Sequence, residues 1–142
     1  MRSNLVPGIA LLAGLGFGDL ASAQQHGAAA PNIAKPNMVL QQVVEGLPTD
    51  DKQTVRVMTA TFKPGDKTVY HTHRFPVTVY VLEGAFTLEL DGRPPITVKA
   101  GEALVEPPKM PMTGYNRGAT ETKVVIFYVS ANDTPFLDMM SH

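Results

Sequence analysis

His71 and His73 stand two residues apart, a spacing that in an extended chain sends both side chains to the same face. Two imidazoles so placed converge on one point, which is how a sheet presents a pair of metal ligands. A neutral ring nitrogen binds Zn, Cu, Fe or Ni without losing a proton near neutral pH. Taken alone, His-x-His is equally the pattern of an ordinary surface or core pair. Tyr80 and Tyr115 add phenols that can donate hydrogen bonds to a pocket ligand, or can stand as half-buried wall residues with wet hydroxyls. Other chemistries are excluded by residue type. Cysteine is absent, which removes disulfides, thiolate metal sites, iron–sulfur clusters and thiol nucleophiles. Serine occurs only at positions 3, 22, 130 and 141, so no Ser-His-Asp arrangement can be argued. A glycine-rich loop that could cradle phosphate is missing too.

The histidines must be held by strands. From Met38 onward, short stretches rich in Val, Thr, Tyr and Phe alternate apolar and polar residues between Gly, Pro and Asp-Gly signals. Candidate strands are 39–44, 54–62, 68–73, 77–83, 85–91, 96–99, 103–106 and 123–130. Within 54–62, Val55, Val57, Thr59 and Thr61 share one face while Arg56, Met58, Ala60 and Phe62 share the other. Phe86, Leu88 and Leu90 alternate in the same way and belong to a core. Asp91-Gly92 is a reversal signal, because both residues tolerate positive φ. Lys63-Pro64-Gly65-Asp66 and Ala100-Gly101 mark two further turns. No segment shows sustained helical spacing, and the pattern predicts an all-β sandwich or small barrel. The stretch 132–137 either caps an open end of that barrel or joins a contact between copies.

The chain has 142 residues, enough for one ordinary domain. Twelve Lys and Arg against thirteen Asp and Glu leave a formal net charge of −1, so no basic excess exists to neutralise nucleic acid. Residues 1–23 read as a secretory signal: Arg2 gives a positive start, an apolar run follows over residues 5–17, and Ala21-Ser22-Ala23 is a small-x-small cleavage site. That run is shorter than the roughly 20 apolar residues a spanning helix needs and is broken by Pro7. Cleavage after Ala23 would leave a periplasmic or secreted protein with no membrane anchor. Residues 24–37 read as a flexible leader, and 38–142 as the single domain.

Gly65, the His71-Thr72-His73 pair and Gly84 resemble the first signature of the cupin superfamily, and Gly101, Pro107 and Asn116 echo the second at that family's spacing. The resemblance covers roughly residues 39–129. It implies a small antiparallel jelly-roll β-barrel with a transition metal in its mouth, and a habit of forming homodimers. Two positions depart from the family's ligand pattern. Val77 stands where the superfamily carries a glutamate, and Met112 where it carries a third histidine; Lys109 replaces an intervening glycine. Glu83, Glu102 and Glu106 lie at other positions. The expected metal ligands are therefore His71, His73 and Met112, in a pocket backed by Val77, Val79, Tyr80 and Tyr115.

Three functions follow as expectations. The first is an exported barrel that binds a small ligand or one transition metal ion (Cu, Fe, Mn, Ni or Zn) at an incomplete His-x-His site. The second is a metal-dependent enzyme of dioxygenase or isomerase type using His71 and His73, whose open coordination positions suit substrate activation. The third is periplasmic copper binding, because a soft thioether beside two imidazoles suits Cu(I).

Overall fold

The structure is a computed structural model that describes residues 32–141. The signal peptide expected at 1–23, and the leader as far as residue 31, lie outside the described residues. Residues 32–35 carry no regular structure and are exposed. The compact unit that follows begins at Pro36.

All regular elements among the described residues are strands: β1 (Gln53–Phe62), β2 (His71–Thr72), β3 (Val77–Glu83), β4 (Ala85–Leu90), β5 (Ile96–Lys99), β6 (Ala103–Glu106), β7 (Met112–Tyr115), β8 (Thr122–Ala131) and β9 (Asp138–Met139). They form two antiparallel sheets, one in the order β1-β8-β3-β6 and the other β5-β4-β7-β2-β9. This is a jelly-roll β-sandwich. Period-two alternation builds the core between the layers. Met58, Ala60 and Phe62 of β1, Val77, Val79 and Val81 of β3, Val124 and Tyr128 of β8, and Phe86, Leu88 and Leu90 of β4 all turn inward. At Gly84, which joins the layers between β3 and β4, φ is +74° and a Cβ would lie 2.6 Å from the Glu121 carbonyl oxygen; the link needs glycine both for its dihedral and for the space.

Three segments differ from the reading by pattern. Residues 39–44 form no strand: they run irregular and largely exposed, with Val43 fully open to solvent, because alternation makes a strand only where a neighbouring backbone accepts its hydrogen bonds. The 68–73 stretch is a strand only at its end, since Thr68 instead exchanges bonds with Gly114, its N–H to the Gly114 carbonyl and its Oγ1 accepting from the Gly114 N–H. β7 was not among the expected strands. Gly114 is glycine for a packing reason: a Cβ there would come within 2.4 Å of the Phe86 ring.

Candidate metal centre

β2 contributes His71 from the five-stranded sheet, between β7 and β9, and the chain runs straight enough past Thr72 for His73 to face the same side. Both are buried, at 3% and 1% exposure. The rings stand nearly perpendicular, 81° apart with centroids 4.7 Å from each other, and their Nε2 atoms meet at 3.1 Å. Each ring is fixed from behind. His71 Nδ1 lies 2.7 Å from the Val69 carbonyl oxygen, and His73 Nδ1 lies 2.7 Å from that of Phe136. A carbonyl can only accept, so both Nδ1 atoms carry a proton, and Nε2 is the nitrogen that each ring turns to the shared point as a potential ligand.

A carboxylate completes the group. Glu106 Oε2 lies 3.1 Å from His73 Nε2, and one ligand atom from each of His71, His73 and Glu106 falls within 4.8 Å of the others. All three residues are buried. Three potential donors so close need a proton or a metal ion between them, and gaps of 3.1 Å are those of neighbouring ligands on one ion with bonds of about 2.1 Å. The donor set therefore fits a metal ion. Burial lowers the pKa of His71 below its ordinary value, and His73 pushes the same way, against the opposing pull of the Val69 carbonyl and Glu106. Its ring stays neutral and able to ligate.

Glu106 is the residue that sequence reasoning missed. The register explains its arrival: Val77 of β3 pairs with Glu106 of β6, and paired residues on neighbouring strands project from the same face. The carboxylate absent at position 77 is thus supplied from directly across the ladder. A signal existed in the sequence. Glu106 shares parity with Leu104, so reading Leu104 as core places the acid on the inner face as well.

The other expected residues divide between the cavity and its surroundings. Val77 and Val79 are fully buried, and Val79 lines a cavity of about 50 Å³ with His71, His73, Glu106, Phe62 and Phe136. Tyr80 alternates with buried Val79 and Val81 and so occupies the opposite face of β3. Tyr115 takes the outer face of β7, opposite buried Met112 and Gly114, with the Arg117 guanidinium 4.7 Å from its ring centroid. Neither tyrosine is among the residues lining the cavity. Met112 pairs with His71 across β2 and β7 and is completely buried. It packs into the apolar core and is not among the residues lining the cavity.

A two-layer antiparallel sandwich carrying a buried His-His-Glu group defines a β-domain equipped to hold a metal ion. The Cupin domain family matches residues 58–128, half of the chain, and the protein belongs to the cupin superfamily. Among solved structures, a cupin-like protein from Thermotoga maritima is 22% identical, with 61% of this chain and 65% of that one covered and a TM-score of 0.52. An uncharacterized protein with a double-stranded β-helix domain from Klebsiella pneumoniae is 16% identical, covers 75% of this chain and 100% of that one, and has a TM-score of 0.53. The DMSP lyase DddQ from Ruegeria pomeroyi is 13% identical, at 61% and 43% coverage and a TM-score of 0.53. The chain thus spans under two thirds of the length of the first and third of these, and likeness at such identities carries the fold alone. A comparison with curated proteins gives no match.

Proposed function

We propose that the protein is an exported metal-binding cupin in which His71, His73 and Glu106 hold one divalent first-row transition ion, with open coordination positions for a small ligand. The observation that carries this is the meeting of two Nε2 atoms and a carboxylate oxygen while both Nδ1 atoms are committed to carbonyls. Two imidazoles and one carboxylate form a donor set associated with Fe(II) and open positions. The hard carboxylate moves the preference away from Cu(I), so the copper reading through Met112 is the weaker one. Export is supported by the Arg2, apolar-run and Ala21-Ser22-Ala23 pattern, and an exported chain would work in the periplasm or outside the cell.

The test is metal analysis and titration of the purified protein with Zn(II), Fe(II), Mn(II), Ni(II) and Cu(I). About one ion per chain in the wild type, lost in the His71→Ala/His73→Ala variant, is expected. Equal and negligible uptake by both would overturn the reading.

An enzymatic role is the second reading, favoured by the same open positions; solved relatives of the fold include an oxalate oxidase and DMSP lyases. For the quaternary state we propose a homodimer formed through the outer face of the four-stranded sheet. Val55 and Val57 are 70% and 61% exposed there and Phe127 44%, Val57 pairs with Phe127, and β1 is an edge strand. Sedimentation of Phe127→Glu as a monomer, against a wild-type dimer, would support it; a monomeric wild type would end it.

A further inference from the structure

The C-terminal residues that follow β8 do more than close the sheet. Two of them, Phe136 and Leu137, line the small cavity at the metal centre. Two others, Asp138 and Met140, line a separate open groove of about 1050 Å³ that also receives Phe75, Lys109 and Met110. The groove and the cavity have one lining residue in common, His73. Residues 136–140 therefore form the partition between a space large enough for an organic molecule and one with room for an ion and a water or two.

The partition is lightly held. Its root is anchored: Arg56 donates from Nη2 to the Thr134 carbonyl oxygen at 2.9 Å and from Nη1 to Ser130 Oγ at 2.7 Å. Beyond Pro135 the hold consists of two-residue β9, the Met140 N–H bonded to the Tyr70 carbonyl, the His73 Nδ1–H bonded to the Phe136 carbonyl, Phe136 packed against His73 and Tyr128, and one ion pair. That pair is Arg74 with Asp138, bidentate at 2.9 Å through Nε and Nη2, and it is solvent-exposed. Exposed pairs contribute little to stability, and short, sparsely bonded segments open locally well before the whole fold does. The same segment supplies the Phe136 carbonyl that fixes the His73 tautomer.

We infer that residues 135–140 are a hinged strap, latched by Arg74 and Asp138, that orients His73 when closed and joins the groove to the metal cavity when open. The strap makes ligand access to His73 and Glu106 a property of the latch. The inference rests on the metal reading for what the strap guards, while the strap itself is testable on protein freed of metal.

The experiment is the rate at which diethylpyrocarbonate acylates His71 and His73 in the metal-free full chain, followed by mass spectrometry of the peptide that carries them. Asp138→Ala and Arg74→Ala are each expected to raise the rate about three- to fivefold, as suits an exposed pair, their double variant no further, and the charge swap Arg74→Asp/Asp138→Arg to return it to within about twofold of wild type. Lys123→Ala, which removes two other exposed ion pairs, with Glu83 and with Glu121, is expected to leave it unchanged. Rates within twofold of wild type in both latch variants would overturn the strap, as would an equal rise in Lys123→Ala or a swap that does not restore. One equivalent of Zn(II) is expected to slow acylation of the wild type. If it does not while the latch variants respond, the metal reading fails and the strap stands.

Discussion

The two sheets hold the metal centre by different means. In the four-stranded sheet, β1 and β8 pair without interruption over ten residues, from Gln53 with Ala131 to Phe62 with Thr122, and Glu106 is located by the ladder that sets it opposite Val77. In the five-stranded sheet, β2 and β9 are two residues long, and the ladder alone does little to aim an imidazole. There, orientation comes from carbonyl oxygens, one local at Val69 and one from the distant Phe136. A carboxylate held by register should tolerate being moved within that register, whereas a ring held by a remote carbonyl depends on the segment that brings it.

The largest expected effect tests the first half of this contrast. Glu106→Val is expected to weaken Zn(II) binding more than about a hundredfold, since even outer-shell partners of metal ligands are worth about 10- to 100-fold. Combining it with Val77→Glu transposes the acid across the same ladder pair and is expected to recover at least a tenth of the wild-type affinity in a competition titration. A double variant no better than Glu106→Val would mean that the register does not specify the ligand.

Met112 tests the other sheet. It pairs with His71 across the ladder and is completely buried among apolar residues, so Met112→Ala should act through the cavity it leaves, lowering unfolding stability by about 3 kcal/mol in urea denaturation. Zn(II) affinity is expected to stay within about fivefold. A selective loss of Cu(I) binding would instead make the thioether a ligand and revive the copper reading.

Most of the layered fold was legible because its long strands alternate cleanly: the expected 54–62, 77–83, 85–91, 96–99, 103–106 and 123–130 all correspond to strands of the structure. The histidine pair was legible for the same reason, since residues two apart in extended chain share a face. Glu106 was passed over because ligands were sought at fixed spacings along the chain, whereas the structure supplies the acid laterally from the neighbouring strand. β7 and β9 escaped for a related reason. Gly114 is dictated by the Phe86 ring against it, and β9 exists because β2 offers an edge; neither fact is local in sequence.

Gly114 gives a smaller effect that sharpens the role of the β4–β7 contact. Gly114→Ala drives a methyl into the Phe86 ring and is expected to cost about 2 kcal/mol, in the range of overpacked cores. At Gly92, in the Asp91-Gly92 turn, a Cβ would meet nothing within 4 Å, so Gly92→Ala feels its φ of +69° alone and should cost about 1 kcal/mol. Gly114 has no positive φ, so a loss no larger than that at Gly92 in thermal unfolding would show that the Phe86 ring gives way to the methyl.

The smallest effect lies at the latch. Hydrogen bonding from the Arg74 guanidinium, joined by its charge, holds the Asp138 carboxyl below the ordinary carboxylate range, with desolvation opposing. The folded chain therefore binds this proton less readily than the unfolded chain, whose Asp titrates near a pKa of about 3.9. Stability from this group is fully present above that value, shrinks as the pH falls through it towards the lower folded pKa, and is absent below both. Asp138→Asn should accordingly be slightly less stable than wild type at pH 6 and converge with it as the pH is lowered through the acid range, the difference being read from urea midpoints. Because the pair is exposed, added salt should shrink the gap at pH 6. A gap that persists unchanged below the folded pKa would show that the Asp138 side chain holds the strap by its shape and neutral hydrogen bonds instead of its charge.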